Sequence, residues 1–495
     1  MSTEKQSEPA QEAAQAEESQ SILDRAIEAT HQVTPDTTKE LLGTLTEQAM
    51  SGTVTWSKNL TSTIDKAVTS LDQTLSAQLA EILHDEKFQK LEGSWRGLNK
   101  LVRNSDLGPM LRIKMLDINK DELMDQFEDA PAVDRSRLFN MIYQHEFGTA
   151  GGEPYGVLLG DYSFSHSDED MALLRYIGEV AAASHTPFIA AASPTSLGID
   201  DFKTLNEGKP VAPGFSSPAY ASWNAFRDSD DSRYVALTMP RTLARLPYGQ
   251  SSSPVKAFDF EEFAASEDGQ RRPDKGNDSF TWSNAAYDMG LLINNAFTAF
   301  GWCTAIRGLE NGGKVENLPS YTYKSTAGDL IQQCPTEVNL TDEREKELSD
   351  LGYLPLVHYK NSNFGVFMGA QTMQRPKEYV DPEATANAAI SARLPYIMAS
   401  SRIAHYLKVM GRDKIGSAMD PADVEKDLTS WISLYTNPNA VGNEARAKTP
   451  LREAKVMVQE QAGRPGCYSA VAWLRPWLQM EELTTSLRMV ADIPG

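Results

Sequence analysis

Asp161, Ser163, His166 and Asp168 put a hydroxyl nucleophile, an imidazole base and two carboxylates within one short stretch. Hydrolysis needs those groups in line, the base on the hydroxyl and an acid orienting the base. Residues this close in sequence rarely reach that geometry, and the Gly-x-Ser-x-Gly elbow is missing; a helix cap at Ser167 or Asp168 accounts for the same residues. Gly312-Gly313-Lys314 lacks the spacing and the hydroxyl of a phosphate loop, and no Gly-x-Gly-x-x-Gly follows a strand. Asp228, Asp230 and Asp231 lack the glycine and the closing glutamate of a calcium loop and read as a solvated turn. Cys303, Cys334 and Cys467 are far apart, without zinc-ligand or redox spacing, and read as buried thiols of a reducing compartment. The expectation is therefore no catalytic residue, no cofactor and no metal.

Composition narrows the partners. With 47 basic and 68 acidic side chains among 495 residues, the formal charge of −21 repels phosphate backbones and anionic lipid. No apolar run has the length of a bilayer span, and Met1 to Gln20 lacks the basic and apolar blocks of a signal peptide, so the expected location is cytoplasmic, with no nucleic acid and no membrane insertion. Apolar residues at 41% suit a folded chain of several domains.

The elements that would position a site come in three blocks. Residues 1–59 read as an acidic, disordered tail broken by a short helix, where Ser21 and Asp24 form a capping-box-like start and Ile22, Leu23, Ala26 and Ile27 a narrow apolar stripe. A short Thr/Val run at Gly52–Trp56 reads as a strand. Residues 60–375 begin with a long amphipathic helix, its stripe of Leu60, Ile64, Val68, Leu71, Leu75, Leu79 and Ile82 expected to face the core rather than to form a coiled-coil arm. Phe88 and Trp95 are expected as core anchors. Strand and helix then alternate: strand 111–118, helices near 119–129 and 134–146, strand 155–161, helix 169–184, strand 187–193, and a further strand over Tyr234–Met239. That order predicts parallel strands covered on both faces. Residues 250–280 read as a polar surface excursion, and Trp282 to Ala299 as a helix. Residues 376–495 hold helices around Leu394 and Trp431, then a ribbon. The fold class expected is α+β around a mixed α/β core.

The ribbon is the stretch with the plainest need for a partner. Ala454, Val456 and Val458 alternate with Lys455, Met457 and Gln459; Ala462 to Gly466 turns the chain back into Cys467–Leu474; and Leu483, Thr485, Leu487 and Met489 mark a third strand. An outer strand carries unpaired N–H and C=O groups that must be covered, blunted or offered to another chain. The reading here is that they are offered.

Pro465-Gly466-x-Tyr468, Leu474-Arg475-Pro476 and Gln479-x-Glu481-x-Leu483-x-x-Ser486-Leu487-Arg488 resemble the large sheath subunit of type VI secretion systems, the TssC or VipB family. Leu75-Ser76-Ala77-Gln78, Phe88-Gln89-x-Leu91-Glu92, Trp95-Arg96-Gly97-Leu98, Pro240-Arg241-x-x-x-Arg245-Leu246-Pro247-Tyr248-Gly249 and Cys334-Pro335-Thr336-Glu337 are similar to the same family. The resemblance covers essentially everything after residue 60, with Ser283 where the family pattern usually has glycine. It implies a tail-sheath-like multidomain subunit with an extended N-terminal arm and a C-terminal β-ribbon, and no enzymatic role. Partners implied are a small sheath subunit (TssB/VipA family), further copies in a helical sheath, an inner tube protein (Hcp family), a baseplate and an AAA+ disassembly ATPase (ClpV family). It also implies that Ile22, Leu23, Asp24, Ala26 and Ile27 are what the ATPase grips, where the residues alone leave docking on the protein's own core open. Subunit-interface residues on this reading are Ala454, Val456, Val458, Leu483, Leu487, Arg488 and Met489. Arg241 and Arg245 either pair inside the subunit or cross an interface. The competing reading, a cytosolic α/β enzyme acting on a nucleotide or acyl substrate, rests only on the strands around 155–193.

Overall fold

The computed structural model describes residues 60–265, 270–273, 275–417, 419–460, 467–477 and 479. The chain divides into two compact units, one of residues 1–83 and 247–272 and one of 84–246 and 273–495. In the first, α1 (Leu60–Leu83) is the helix that the periodicity at threes and fours demands. Its stripe is not in a core: Ile64, Val68, Leu71, Leu75 and Ile82 are exposed, while Ala67, Ser76 and Leu83 are buried. An apolar stripe specifies a face that shuns water, not what covers it. The segment 247–265 is also more than a polar excursion. Phe260 and Phe263 are buried, and the buried Glu262 carboxylate accepts the Tyr248 N–H at 2.7 Å.

The second unit is built on a six-stranded sheet. Its helices and strands open with α2 (Glu86–Asn104), α3 (Lys120–Glu128), β1 (Leu158–Phe164), α4 (Asp168–Ser184), β2 (Phe188–Ala192), α5 (Ala221–Arg227), β3 (Val235–Met239) and the short β4 (Thr242–Leu243). There follow β5 (Trp282–Ser283), α6 (Ala285–Phe300), β6 (Lys314–Val315), β7 (Thr322–Lys324), β8 (Leu330–Gln332), α7 (Asp342–Asp350), β9 (Tyr353–His358) and β10 (Gly365–Phe367). The strand order is β1-β2-β3-β9-β10-β6, parallel from β1 to β9 and antiparallel beyond. Every residue of β2, β3 and β9 is buried, as both-face coverage requires. Alternation sorts the side chains: Phe188, Val235, Leu237 and Tyr353 join Leu174, Ile177 and Trp223 on one face, and Ile189, Ala236 and Leu354 join Met289, Ile293 and Leu394 on the other.

Local chemistry explains the helix bounds. Ser167 accepts the Asp170 N–H and opens α4 ahead of three acidic residues in its first turn, which suit the positive end of the helix dipole. Asn119 and Glu122 form a reciprocal capping box at the start of α3. Asn284 caps α6, so the helix opens after Trp282-Ser283, which pairs as β5 with β4. Ser283, the departure from the family pattern, is buried in ordinary extended backbone.

Two stretches differ from expectation. Residues 111–118 form no strand; Arg112 and Lys114 reach Glu153 and Glu146 at 2.7 and 2.6 Å, so ion pairs rather than a ladder hold the segment. The edge strand β1 has its Gly160 and Ser163 carbonyls taken by Asn284 and Lys120 side chains instead. The expected helix near 134–146 is a 3-10 turn, one α-turn and a π-helix over Asn140–Phe147.

The remaining elements are α8 (Pro382–Ser391), α9 (Leu394–Asp413), α10 (Pro421–Ser433), α11 (Asn443–Lys448), β11 (Leu451–Glu460) and β12 (Tyr468–Pro476). Pro395 sits in the first turn of α9, where its missing N–H costs nothing. A third core cluster of Trp302, Ile403, Leu428, Ile432, Leu451, Val456 and Val458 joins these helices to the ribbon.

Candidate functional site

The ribbon is a two-stranded antiparallel sheet in continuous register from Glu453↔Arg475 to Glu460↔Tyr468. Its two faces have different fates. Val456 and Val458 are buried, and with Ala454, Ala472 and Leu474 they pack on the Leu428 and Ile432 side of α10. The opposite face carries Met457, Val471 and Trp473, all exposed, beside an exposed Glu453–Arg475 pair at 3.2 Å. The side chains of Ala454, Val456 and Val458, named from sequence as intersubunit contacts, are therefore used inside the chain, because the pleat that makes them apolar also turns them onto α10. What β11 and β12 present outward is their other face and their backbone edges.

The edge of β11 is partly blunted. Glu425 of α10 accepts the Val458 N–H at 2.9 Å, and at the strand's start Leu451 exchanges backbone hydrogen bonds with Tyr435 and Asn437. At the far end of β12, the guanidiniums of Arg446 and Arg452 lie 4.7 and 5.7 Å from the centre of the Trp477 ring. Leu483, Leu487, Arg488 and Met489, the turn at 462–466, the strand at 52–56 and the stripe Ile22, Leu23, Asp24, Ala26 and Ile27 lie outside the described residues.

The two arginines pair within the subunit. Arg241 makes a fork-on-fork pair with the buried Glu337 at 2.9 and 2.6 Å, and the buried Arg245 donates to Glu92 at 2.7 Å. Glu92 also accepts from Arg96 at 2.7 Å and from the Thr281 hydroxyl at 3.0 Å. Burial pushes the Glu92 carboxyl up, but Arg245 and Arg96 outweigh it and hold it below the usual range. These partners are 96 and 153 positions away in sequence, so no local pattern could name them.

Three of the residues weighed for hydrolysis are engaged with other partners. His166 bonds the Thr195 carbonyl at 2.7 Å and stacks on Tyr220, Asp168 accepts from Ser222 at 2.6 Å, and Asp161 accepts from Asn284 at 3.3 Å. Asp228 and Asp230 are engaged by Arg375, Arg233 and Lys377. Cys303 and Cys334 are partly covered and burial pushes both thiols up, Cys303 to about 12; Cys467 is exposed, contrary to the expectation of three buried thiols, since it opens the outer strand of a ribbon.

Phe88 and Trp95 are exposed on α2 rather than anchored in a core. The signal for this was the spacing of Gly93 and Gly97. A Cβ on Gly93 would fall on the Trp282 carbonyl oxygen, and one on Gly97 on Ser283 Oγ and the Tyr287 ring. The glycine face is the one that packs, and the aromatic face is left outside.

Among the described residues no helix is long and apolar enough to cross a membrane. Two family models match the chain: VipB, described as EvpB/VC_A0108, tail sheath N-terminal domain, over residues 65–374, and VipB_2, the tail sheath gpW/gp25-like domain, over residues 383–493. The chain is similar to the type VI secretion system sheath protein TssC1 of Pseudomonas aeruginosa, 43% identical over 456 residues, 91% of this chain and 90% of that protein. Among solved structures, the anti-feeding prophage baseplate is matched over 65% of this chain and 66% of that one, at 10% identity and a TM-score of 0.34. The chain belongs to the VipB tail-sheath family, the large sheath subunits of type VI secretion systems.

Proposed function

We propose that this protein pairs with a small sheath subunit of the TssB/VipA family, stacks with further copies into a helical sheath around an Hcp-family inner tube above a baseplate, and contracts to drive the tube outward. The working site is cytoplasmic, and the role is mechanical, with no catalysis and no bound cofactor. What supports this reading is the ribbon: one face is committed to the chain's own α10, while among the described residues the other face, the edge of β12 and the part of the β11 edge not taken by Glu425, Tyr435 and Asn437 have no cover. Strands shared between subunits would keep the lattice connected while rigid cores move, and contraction would draw on poorer packing held in the extended state. Ile22, Leu23, Asp24, Ala26 and Ile27 would then serve a ClpV-family ATPase that dismantles spent sheaths, and Leu483, Leu487, Arg488 and Met489 would complete the shared sheet. Electron microscopy of the chain co-expressed with the small subunit tests it. Tubes are expected from the full chain and none after deletion of residues 454–495; tubes of normal length from the truncated chain would refute the ribbon as the joint.

A further inference from the structure

Helix α2 is held to its unit by charge and close backbone approach rather than by a core. Of its 19 residues only Gly93, Gly97 and Leu101 are buried, and among the described residues none of its side chains belongs to the three core clusters. The glycines let the helix backbone lie on Trp282, Ser283 and Tyr287. Two ion pairs flank that contact. Glu92 accepts from Arg245 at 2.7 Å and from the Thr281 hydroxyl at 3.0 Å, and Lys100 is paired with Asp288, whose side chain is 2% exposed. Gln89 donates to the Asp278 carbonyl at 2.9 Å, and Asn294 donates to Ser105 at 2.9 Å just past the helix end.

Such a fastening gives way in its own manner. Apolar covering is lost in proportion to the area uncovered, whereas a buried ion pair holds until its groups part, and water then recovers both charges. Lifting α2 rehydrates Glu92, Arg245, Lys100 and Asp288, and only Leu101 among its own apolar side chains leaves full burial. Parting β2 from β3, in which every residue is buried and none is charged, has no such return. Opening α2 therefore costs less than opening the sheet. It opens as one piece, because Asp85 caps its first turn and the helix keeps its own hydrogen bonds.

We propose that α2 is a strap that lifts off β5 and α6 as a unit while the six-stranded sheet stays folded, with Glu92–Arg245 and Lys100–Asp288 as its two latches. The strap is the first helix of its unit, so a pull from the N-terminal side meets the latches before it meets β1. That such a pull comes from a disassembly ATPase rests on the sheath reading above; the strap itself does not.

The test uses the full chain carrying Ser283→Cys, since Ser283 is 5% exposed and lies against Gly97. A thiol reagent is added under native conditions, and mass spectrometry follows the label at position 283 and at the native Cys303, which packs on the sheet core and serves as the reference. Lys100→Met leaves Asp288 buried without its ammonium and is expected to speed labelling at position 283 at least about a hundredfold, with Cys303 unchanged. Asp288→Asn added to Lys100→Met removes the stranded charge, keeps an acceptor for the Thr242 hydroxyl and is expected to reverse most of that gain, which a loss of packing would not allow. Hydrogen exchange of the unsubstituted chain gives a second reading: α2 amides are expected to exchange through one shared opening, at least about tenfold more frequent than that of β3 amides. No acceleration in Lys100→Met, equal acceleration at position 283 and Cys303, no reversal by Asp288→Asn, or α2 and β3 amides opening together would overturn the proposal. Failure of tubes to form would sink the sheath reading alone, because neither measurement needs assembly.

Discussion

His405 shows how a single buried group links this fold to pH. Its Nε2–H donates to the Ser184 carbonyl at 2.8 Å, and its Nδ1 has no partner among the described residues, so a second proton would find no acceptor. The ring lies against Phe147 and 6.4 Å from His185, with Lys408 over the Phe147 ring and Arg402 on the same helix. Burial chiefly, and then the nearby cations, outweigh the Ser184 bond and depress the imidazole to about 4. A depressed histidine is neutral when folded and protonates when unfolded. Its contribution is therefore full above the unfolded value near 6.5 and is lost as pH falls toward about 4. The linked loss is roughly 3 kcal/mol, and His185, also depressed by burial and Lys408, adds in the same direction. Denaturant melts at pH 7, 5.5 and 4.5 should show this decline, and His405→Leu should make it shallower; an unchanged slope would place the acid sensitivity elsewhere.

At the scale of elements, the ribbon depends on α10 for more than packing. Glu425 is the acceptor for the Val458 N–H on the strand edge, a charge-assisted bond of a kind that contributes about 1.5–3 kcal/mol. Glu425→Ala is expected to speed hydrogen exchange at Val458 by roughly ten- to a hundredfold. The amides of Met457 and Gln459, which alternate to the other edge and face β12, should change much less, since those are held by the partner strand. Equal acceleration along the whole ribbon would mean that α10 supports β11 through Leu428 and Ile432 alone.

The whole molecule does not divide where its two family matches meet. Leu394 and Met398 of α9 complete the core on one sheet face, Leu394 donates its N–H to the Ala370 carbonyl, and Thr372 bonds Ala392 through both backbone and hydroxyl. On the other side Arg412 caps the Phe147 and Thr149 carbonyls that end the π-helix. A fragment of residues 65–374 would thus expose one sheet face and leave the π-helix end unsatisfied. It is expected to bind a hydrophobic dye strongly and to lose near-ultraviolet ellipticity while keeping far-ultraviolet signal. A fragment with a cooperative melt and no dye binding would show that residues 383–493 are an independent addition.

What the sequence by itself determined is local. Caps at Ser167 and Asn119, the period of α1, the alternation in β11 and the strand–helix order of the sheet are set by neighbours a few residues away, and the family signature rides on them. The tertiary structure alone decided which apolar faces find a cover. Periodicity marks the stripes of α1 and α2 as water-averse in the same way that it marks Val456 and Val458, yet among the described residues the valines are covered by a helix and those stripes are exposed. It also decided that Arg245 meets Glu92, since pairing across that separation depends on where the sheet brings α2 and not on any spacing. Residues 111–118 alternate well enough for a strand but have no ladder to join: side chains already take the carbonyls at Gly160 and Ser163, and a strand exists only where a neighbour's backbone is free to pair.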